Sequence, residues 1–247
     1  MVFKKKMGVI ITLKNIFHSV LDFFFPQICV TCQSKLYNSN FSICNECVSK
    51  IEKANPSDIE NIFHQNISQF GTIEGFFSHF EFTKGGKCQR VIHELKYNKK
   101  SNLGIYLGIL LGKELSKKNW FPNIELIIPV PIHYIKKLSR GYNQSDKICE
   151  GIQKVTNKNY YPKVVKRKKF TQTQTLLTIS ERIKNVSGAF KVRDVKKIRN
   201  KTILIVDDVF TTGSTVNELA KTLLNSGAKV IFLATLAFVK DRDFTVY

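Results

Sequence analysis

Residues 203–215, Ile-Leu-Ile-Val-Asp-Asp-Val-Phe-Thr-Thr-Gly-Ser-Thr, limit what this chain can fold into more than any other stretch. Four consecutive apolar residues, Ile203 to Val206, read as a strand buried on both faces, the pattern of a parallel sheet interior. From Val216 through Leu219, Ala220, Leu223 and Leu224 the apolar spacing becomes helical, and Gly227 supplies a stop. A short polar loop joins the two elements. In open α/β sheets ligands settle beyond the carboxyl ends of strands, where the free N–H groups of the next helix attract anions. Thr211, Thr212, Gly213, Ser214 and Thr215 suit a phosphate there: the glycine admits a close backbone approach and the hydroxyls add uncharged donors.

Asp207 and Asp208, just before that loop, would repel a phosphate, so their use must be different. Carboxylates accept hydrogen bonds from vicinal hydroxyls and coordinate Mg²⁺. A phosphate nest beside paired aspartates therefore describes a receptor for a ribose 5-phosphate. A bare strand, turn and helix cap is the simpler alternative, but a cap alone needs one Ser, Thr or Asp rather than a series. The stretch resembles the signature of type I phosphoribosyltransferases. That resemblance implies two acids on the ribose hydroxyls and a Thr-Thr-Gly-x-Thr loop around the 5-phosphate of phosphoribosyl pyrophosphate.

A chain of 247 residues can bury one substantial core plus a small appendage. No apolar run reaches the roughly 20 residues of a membrane span, and Lys14, His18 and Asp22 interrupt the only stretch that looks like a signal peptide. A cytoplasmic place is the expectation. The balance of 39 basic against 19 acidic residues, a net +20, points to polyanionic partners. Thirteen of the basic residues fall between Lys163 and Lys201, against Glu181 and Asp194 only. A generally lysine-rich composition would raise the charge without any nucleic acid.

Cys29-x-x-Cys32 and Cys44-x-x-Cys47 form two knuckles eleven residues apart. Four thiolates in this pattern suit a closed tetrahedral site, with structural Zn²⁺ first, and iron in the same cage or disulfides as the alternatives. So small a segment has too little apolar surface to fold unaided, so the metal would supply most of its stability. Ahead of it, Leu13, Ile16, Phe17, Val20, Leu21 and Phe24 repeat at helical spacing, which predicts an amphipathic helix. Packing against the core is its simplest use, with docking to a membrane surface or a partner helix the minority reading. Residues 1–54 are thus expected to hold this helix and the zinc module. Residues 70–247 form the second domain, after a polar linker with a short helix over 55–69.

Along that domain, residues 72–82 read as a strand, 85–97 and 103–118 as helices, 126–132 as a strand broken by Pro129 and Pro131, and 230–239 as a final apolar strand. Cys88 and Cys149 lie among apolar residues and read as core thiols. Arg140-Gly141-Tyr142-Asn143-Gln144 precedes a helix through Ile148 and Ile152. Asn143 could be simply its N-cap; alternatively Arg140 and the amides point into the crevice of the aspartates, where an arginine fork would hold pyrophosphate. Residues 163–169 form a basic strand or arm, and the polar run 171–175 suits a mobile lid.

Taken together, the four cysteines, Leu95-Lys96-Tyr97, Pro129-Val130-Pro131, the Arg140 to Gln144 stretch, Gly188-Ala189-Phe190 and residues 207–215 resemble the ComF family of competence-associated proteins. The resemblance implies an α/β, doubly wound parallel sheet of type I phosphoribosyltransferase kind behind a small N-terminal zinc module of four cysteines. It also implies a phosphoribosyl pyrophosphate site with Mg²⁺, in which Val130 belongs to the pyrophosphate loop and Arg140 lies nearby. A role in bringing single-stranded DNA into the cell during natural transformation, beside a helicase-like ATPase, would follow.

Two function classes remain. In one the protein handles single-stranded DNA, with Lys166, Arg167, Lys168 and Lys169 as the phosphate track and Tyr142, Phe170 or Phe190 as stacking platforms. In the other it is an active phosphoribosyltransferase that passes ribose 5-phosphate to a base or amine. Such chemistry rests on positioning and charge neutralisation and needs no nucleophilic side chain.

Overall fold

The computed structural model describes residues 26–36, 41–169 and 185–240. The amphipathic stretch over residues 13–24, Phe170 and the polar run 171–175 lie outside them.

Five parallel strands form the main sheet, in the order β1 (Gly75–Phe82), β7 (Val230–Val239), β6 (Thr202–Phe210), β2 (Leu126–Pro129) and β3 (Asn159–Tyr160). The all-apolar character of 203–206 follows from its central place: β6 pairs with β2 from Ile203 to Val206 and with β7 from Thr202 to Phe210. Both aspartates lie inside this paired strand rather than in the loop after it, with Asp207 opposite Thr235. The strand beginning at residue 126 stops at Pro129, earlier than the apolar run suggested.

The crossovers explain where a ligand can go. From β2 the chain runs through helix α5 (Tyr134–Arg140) and α6 (Gln144–Thr156) to β3 at one edge, while from β6 it runs through α7 (Ser214–Asn225) to β7 on the other side. Right-handed crossovers in opposite directions put α6 and α7 on opposite faces of the sheet. The carboxyl ends of β2 and β6 therefore part, and a crevice opens between them. The helices α3 (Lys87–Tyr97) and α4 (Ser101–Leu115) precede β2. Helix α4 packs closely on α6 because Gly108 meets Gly151; a Cβ at either position would collide with the backbone oxygen of Ile148 or Ile105.

Residues 55–70 do contain the short helix expected there, but they are packed against the domain rather than forming a polar linker. Helix α2 (Pro56–Ile62) continues through a π-helical turn (Phe63–Ile67) and a 3-10 turn (Ser68–Phe70), and it buries Ile59, Ile62 and Ile67. The cysteine module, with helix α1 (Asn45–Ser49), packs on the outer edge of β1. Lys53 bridges to Phe80, the Ala54 N–H donates to the His79 oxygen, and Phe41 stacks on Tyr106 of α4 at 4.4 Å between centroids. The module thus covers a sheet edge that would otherwise expose unpaired backbone groups. A two-stranded antiparallel ribbon, β4 (Val165–Arg167) and β5 (Phe190–Val192), stands apart from the main sheet. Cys88 and Cys149 are buried core thiols, as expected. Among the described residues no helix is long and apolar enough to cross a membrane.

Candidate functional site

The crevice between β2 and β6 gathers the acids. Asp207 Oδ1 accepts from the Ser145 hydroxyl at 3.0 Å and from the N–H of Asp208 at 2.9 Å, so α6 holds its rotamer. Asp208 Oδ1 accepts from the Val209 N–H at 2.8 Å, and its other oxygen lies 3.2 Å from Lys96 Nζ at the end of α3. Both members of this ion pair are largely buried, at 12% and 13% side-chain exposure, so the pairing is little screened. Burial and then the neighbouring Asp208 push the Asp207 carboxyl up to about 7, against the N–H of Asp208, Ser145 and Lys96, which favour the anion.

The hydroxyl loop follows at the strand's end. Gly213 has φ 75° and caps α7, and its free side is filled: an added Cβ would lie 3.1 Å from the Phe210 ring and 3.3 Å from Asn217 Nδ2. Thr212 Oγ1 and Ser214 Oγ are 3.0 Å apart, and no acidic side chain occupies the first turn of α7. The turn therefore offers its N–H groups and hydroxyls to an anion without internal repulsion.

Cations approach from three elements. Lys136 and Arg140 come from α5, Lys96 from α3 and Arg167 from β4. Burial lowers Lys136 to about 8, reinforced by Arg167, Arg140 and Lys96 and opposed by Asp208, so these groups share one field. Arg167 is lowered by burial too, with Asp207 acting the other way. Clustered, partly desolvated cations of this kind create a positive field that favours anions. Arg140 donates to Gln144 Oε1 at 2.9 Å, and its guanidinium lies 5.5 Å from the centre of the Tyr97 ring.

Several expected roles change here. Asn143 is the N-cap of α6, accepting from the Ser145 N–H, and its Nδ2 donates to the Val130 oxygen at 3.0 Å. Asn143 and Gln144 are both buried, so the amides fasten the crevice wall rather than line it. Val130 is in place beside the crevice, but its N–H donates to the Val206 oxygen and its carbonyl is taken by Asn143. The basic strand divides by alternation: Lys166 and Lys168 are exposed, Arg167 turns inward over Phe190, and exposed Lys169 donates to the Ser187 oxygen. Phe190 is buried, and Tyr142 is half-buried with its hydroxyl given to the Leu95 oxygen, so neither offers an open ring face. Lys96, Lys136 and Ser145 were missed as site residues; Lys96 lies within Leu95-Lys96-Tyr97, but no periodicity marks its role.

The four cysteines make a second site. Their sulfurs lie within 4.8 Å of one another, and Cys32 and Cys44 are 3.8 Å apart, the edge of about 3.8 Å that a tetrahedron with metal–sulfur bonds of about 2.3 Å requires. The Cys44 N–H points at the Cys29 sulfur and the Cys47 N–H at the Cys44 sulfur, which stabilises thiolate charge. The cluster could hold a metal ion such as zinc.

Comparison with known proteins gives three kinds of likeness. Residues 138–245 match the phosphoribosyl transferase domain family. The chain is 33% identical over 144 residues to DNA utilization protein YhgH of Escherichia coli K12, covering 57% of this chain and 63% of that protein. It is 37% identical over 114 residues to Competence protein F of Haemophilus influenzae, covering 46% and 50% respectively. The chain thus spans less than two thirds of the length of these curated relatives. Among solved structures it is similar to the glutamine phosphoribosylpyrophosphate amidotransferase from B. subtilis, with a TM-score of 0.37 and 16% identity over 53% of this chain and 25% of that one.

Proposed function

We propose, from the premise that this chain is a ComF-family, phosphoribosyltransferase-like protein, that it binds phosphoribosyl pyrophosphate with Mg²⁺ in the β2–β6 crevice and serves in the handling of single-stranded DNA during natural transformation. One juxtaposition carries the ligand reading: a hydroxyl-rich helix start, two carboxylates and four cations meet where two strands diverge. The loop 211–215 would receive the 5-phosphate, Asp207 and Asp208 the ribose hydroxyls, and Arg140, Lys136 and Arg167 the pyrophosphate. The metal would neutralise pyrophosphate charge and could share the aspartates. In the cysteine module we propose a structural zinc ion.

The DNA part draws support from the names of the relatives and from the net charge of +20. Exposed Lys166, Lys168 and Lys169 offer a phosphate track on the ribbon. Calorimetric titration of phosphoribosyl pyrophosphate with Mg²⁺ tests the ligand reading. Saturable binding is expected for the intact chain, with loss of roughly ten-fold or more in affinity for Asp208→Asn or Lys136→Ala, since each removes a charge-assisted contact; no heat of binding to the intact chain would end it. Pyrophosphate release that requires an added base or amine would extend the same pocket to transfer.

A further inference from the structure

We propose that helix α5 forms, together with Tyr97, a stacking platform on which single-stranded DNA lies. This rests on the reading that the protein handles such strands, and it assigns the base contacts to a surface that reading left open. None of the seven residues of α5 is buried. Tyr134 is 65% exposed, Ile135 42% and Leu138 78%, with Tyr97 at 54% beside Arg140. These are four of the eight large hydrophobic side chains exposed among the described residues, three of them on α5 and the fourth beside its last residue, Arg140. Tyr134 and Leu138 are four residues apart and share a helix face. Clustered exposed apolar groups mark an interaction surface.

Charge selects the occupant. From residue 126 to residue 145 the sequence has no Asp or Glu, and Lys136, Lys137 and Arg140 lie among the apolar groups, with Lys99 and Lys100 just beyond Tyr97. A helix that carries cations and exposed apolar groups but no acid of its own fits a flexible polyanion that carries its own rings, which is how sequence-tolerant single-strand binders work. The platform is also continuous with the crevice, because α5 starts a few residues beyond Val130 and ends on Arg140. Tyr142 and Phe190, two of the three rings the sequence offered, are engaged elsewhere, and the third, Phe170, lies outside the described residues. Tyr134 sits beside the His133 ring, at 4.6 Å between centroids, and still keeps most of its surface open.

The test is fluorescence anisotropy of a labelled oligodeoxythymidine with the full chain at low salt. Tyr134→Ala with Leu138→Ala, and separately Tyr97→Ala, should each weaken binding about ten-fold, the loss expected for removal of a stacking ring. Tyr134→Phe should retain affinity, and the salt slope of the double variant should match that of the unmodified chain, since no charge is removed. Wild-type affinity in the double variant, with loss in Lys166→Glu, Lys168→Glu, would overturn the platform and leave DNA binding intact on the ribbon. No oligonucleotide binding by the unmodified chain would remove the DNA reading and the platform with it. Capture by phosphatidylglycerol vesicles that the double variant abolishes, with oligonucleotide affinity unchanged, would overturn the platform in favour of a membrane contact.

Discussion

Gly213→Ala probes the anion loop with a built-in control. Gly213 and Gly85 share the same φ of 75°, a region that costs an L-residue about 1–2 kcal/mol. An added Cβ at Gly85 meets nothing within 4 Å, so Gly85→Ala should show that backbone cost alone. At Gly213 the same Cβ would lie 3.1 and 3.2 Å from Phe210 ring carbons and 3.3 Å from Asn217 Nδ2. Phe210 is buried and Asn217 accepts from Thr72, so neither neighbour yields easily. Crowding of this degree should add roughly 1 kcal/mol or more. For a chain of this size each kcal/mol moves Tm by about 2–4 °C, so Gly213→Ala should melt about 5–8 °C below the unmodified protein and Gly85→Ala about half as far. Only the first should also lose phosphoribosyl pyrophosphate affinity, by about ten-fold, because on the proposed reading its loop would receive the phosphate. Differential scanning fluorimetry and calorimetry give the two readouts. Equal melting shifts together with unchanged ligand affinity would refute the loop geometry.

Removal of metal by chelation should abolish hydrogen-exchange protection over residues 26–36 and 41–54 and weaken it in β1, whose edge the module covers, while β6 stays protected; uniform loss or no loss would contradict a metal-held module. Lys96→Met and Asp208→Asn should each destabilise by about 2–4 kcal/mol, and the double variant by about 1–2 kcal/mol less than their sum, because each single change strands a largely buried partner; denaturant melts that simply add would refute the pairing. Burial raises Asp146 to about 6, opposed by Lys137, Asn143 and Lys147. A folded-state value above the unfolded one means the folded protein holds more protons between about pH 4 and 6, so this group's stabilisation is present at low pH and is lost as pH rises through that window. Asp146→Asn should therefore gain stability relative to the unmodified chain on going from pH 4 to pH 7, by up to about 3 kcal/mol, and a difference independent of pH would contradict the burial. Arg167→Gln should weaken phosphoribosyl pyrophosphate binding about ten-fold and Lys166→Gln should not, because one side chain faces the crevice and the other solvent; equal effects would refute the alternation.

Some of this architecture is written in short windows of sequence. The apolar run at 203–206, the hydroxyl-rich loop and the helical spacing after Val216 specify a strand, an anion-binding turn and a helix, because periodicity and turn chemistry act over a few residues. Paired knuckles specify a thiolate cage for the same reason: the spacing brings two sulfurs together locally, and one further contact closes the set. Residues 55–70 were less legible, since Ile59, Ile62 and Ile67 carry a helical period thinned by polar neighbours, and burial against the domain decides the matter.

What tertiary structure alone decided is which charges meet. Lys96, Lys136, Arg167 and Ser145 come from four separate elements and reach the aspartates only because crossovers in opposite directions part β2 from β6. Strand alternation then sends Arg167 inward and Lys166 outward, burial removes Phe190 from the surface, and a hydrogen bond to Leu95 ties down half-buried Tyr142, while Tyr134 and Leu138 stay exposed. Local sequence determines the elements and the kind of chemistry each can offer. Convergence and exposure depend on packing between distant segments, where no short-range pattern records which neighbour will arrive.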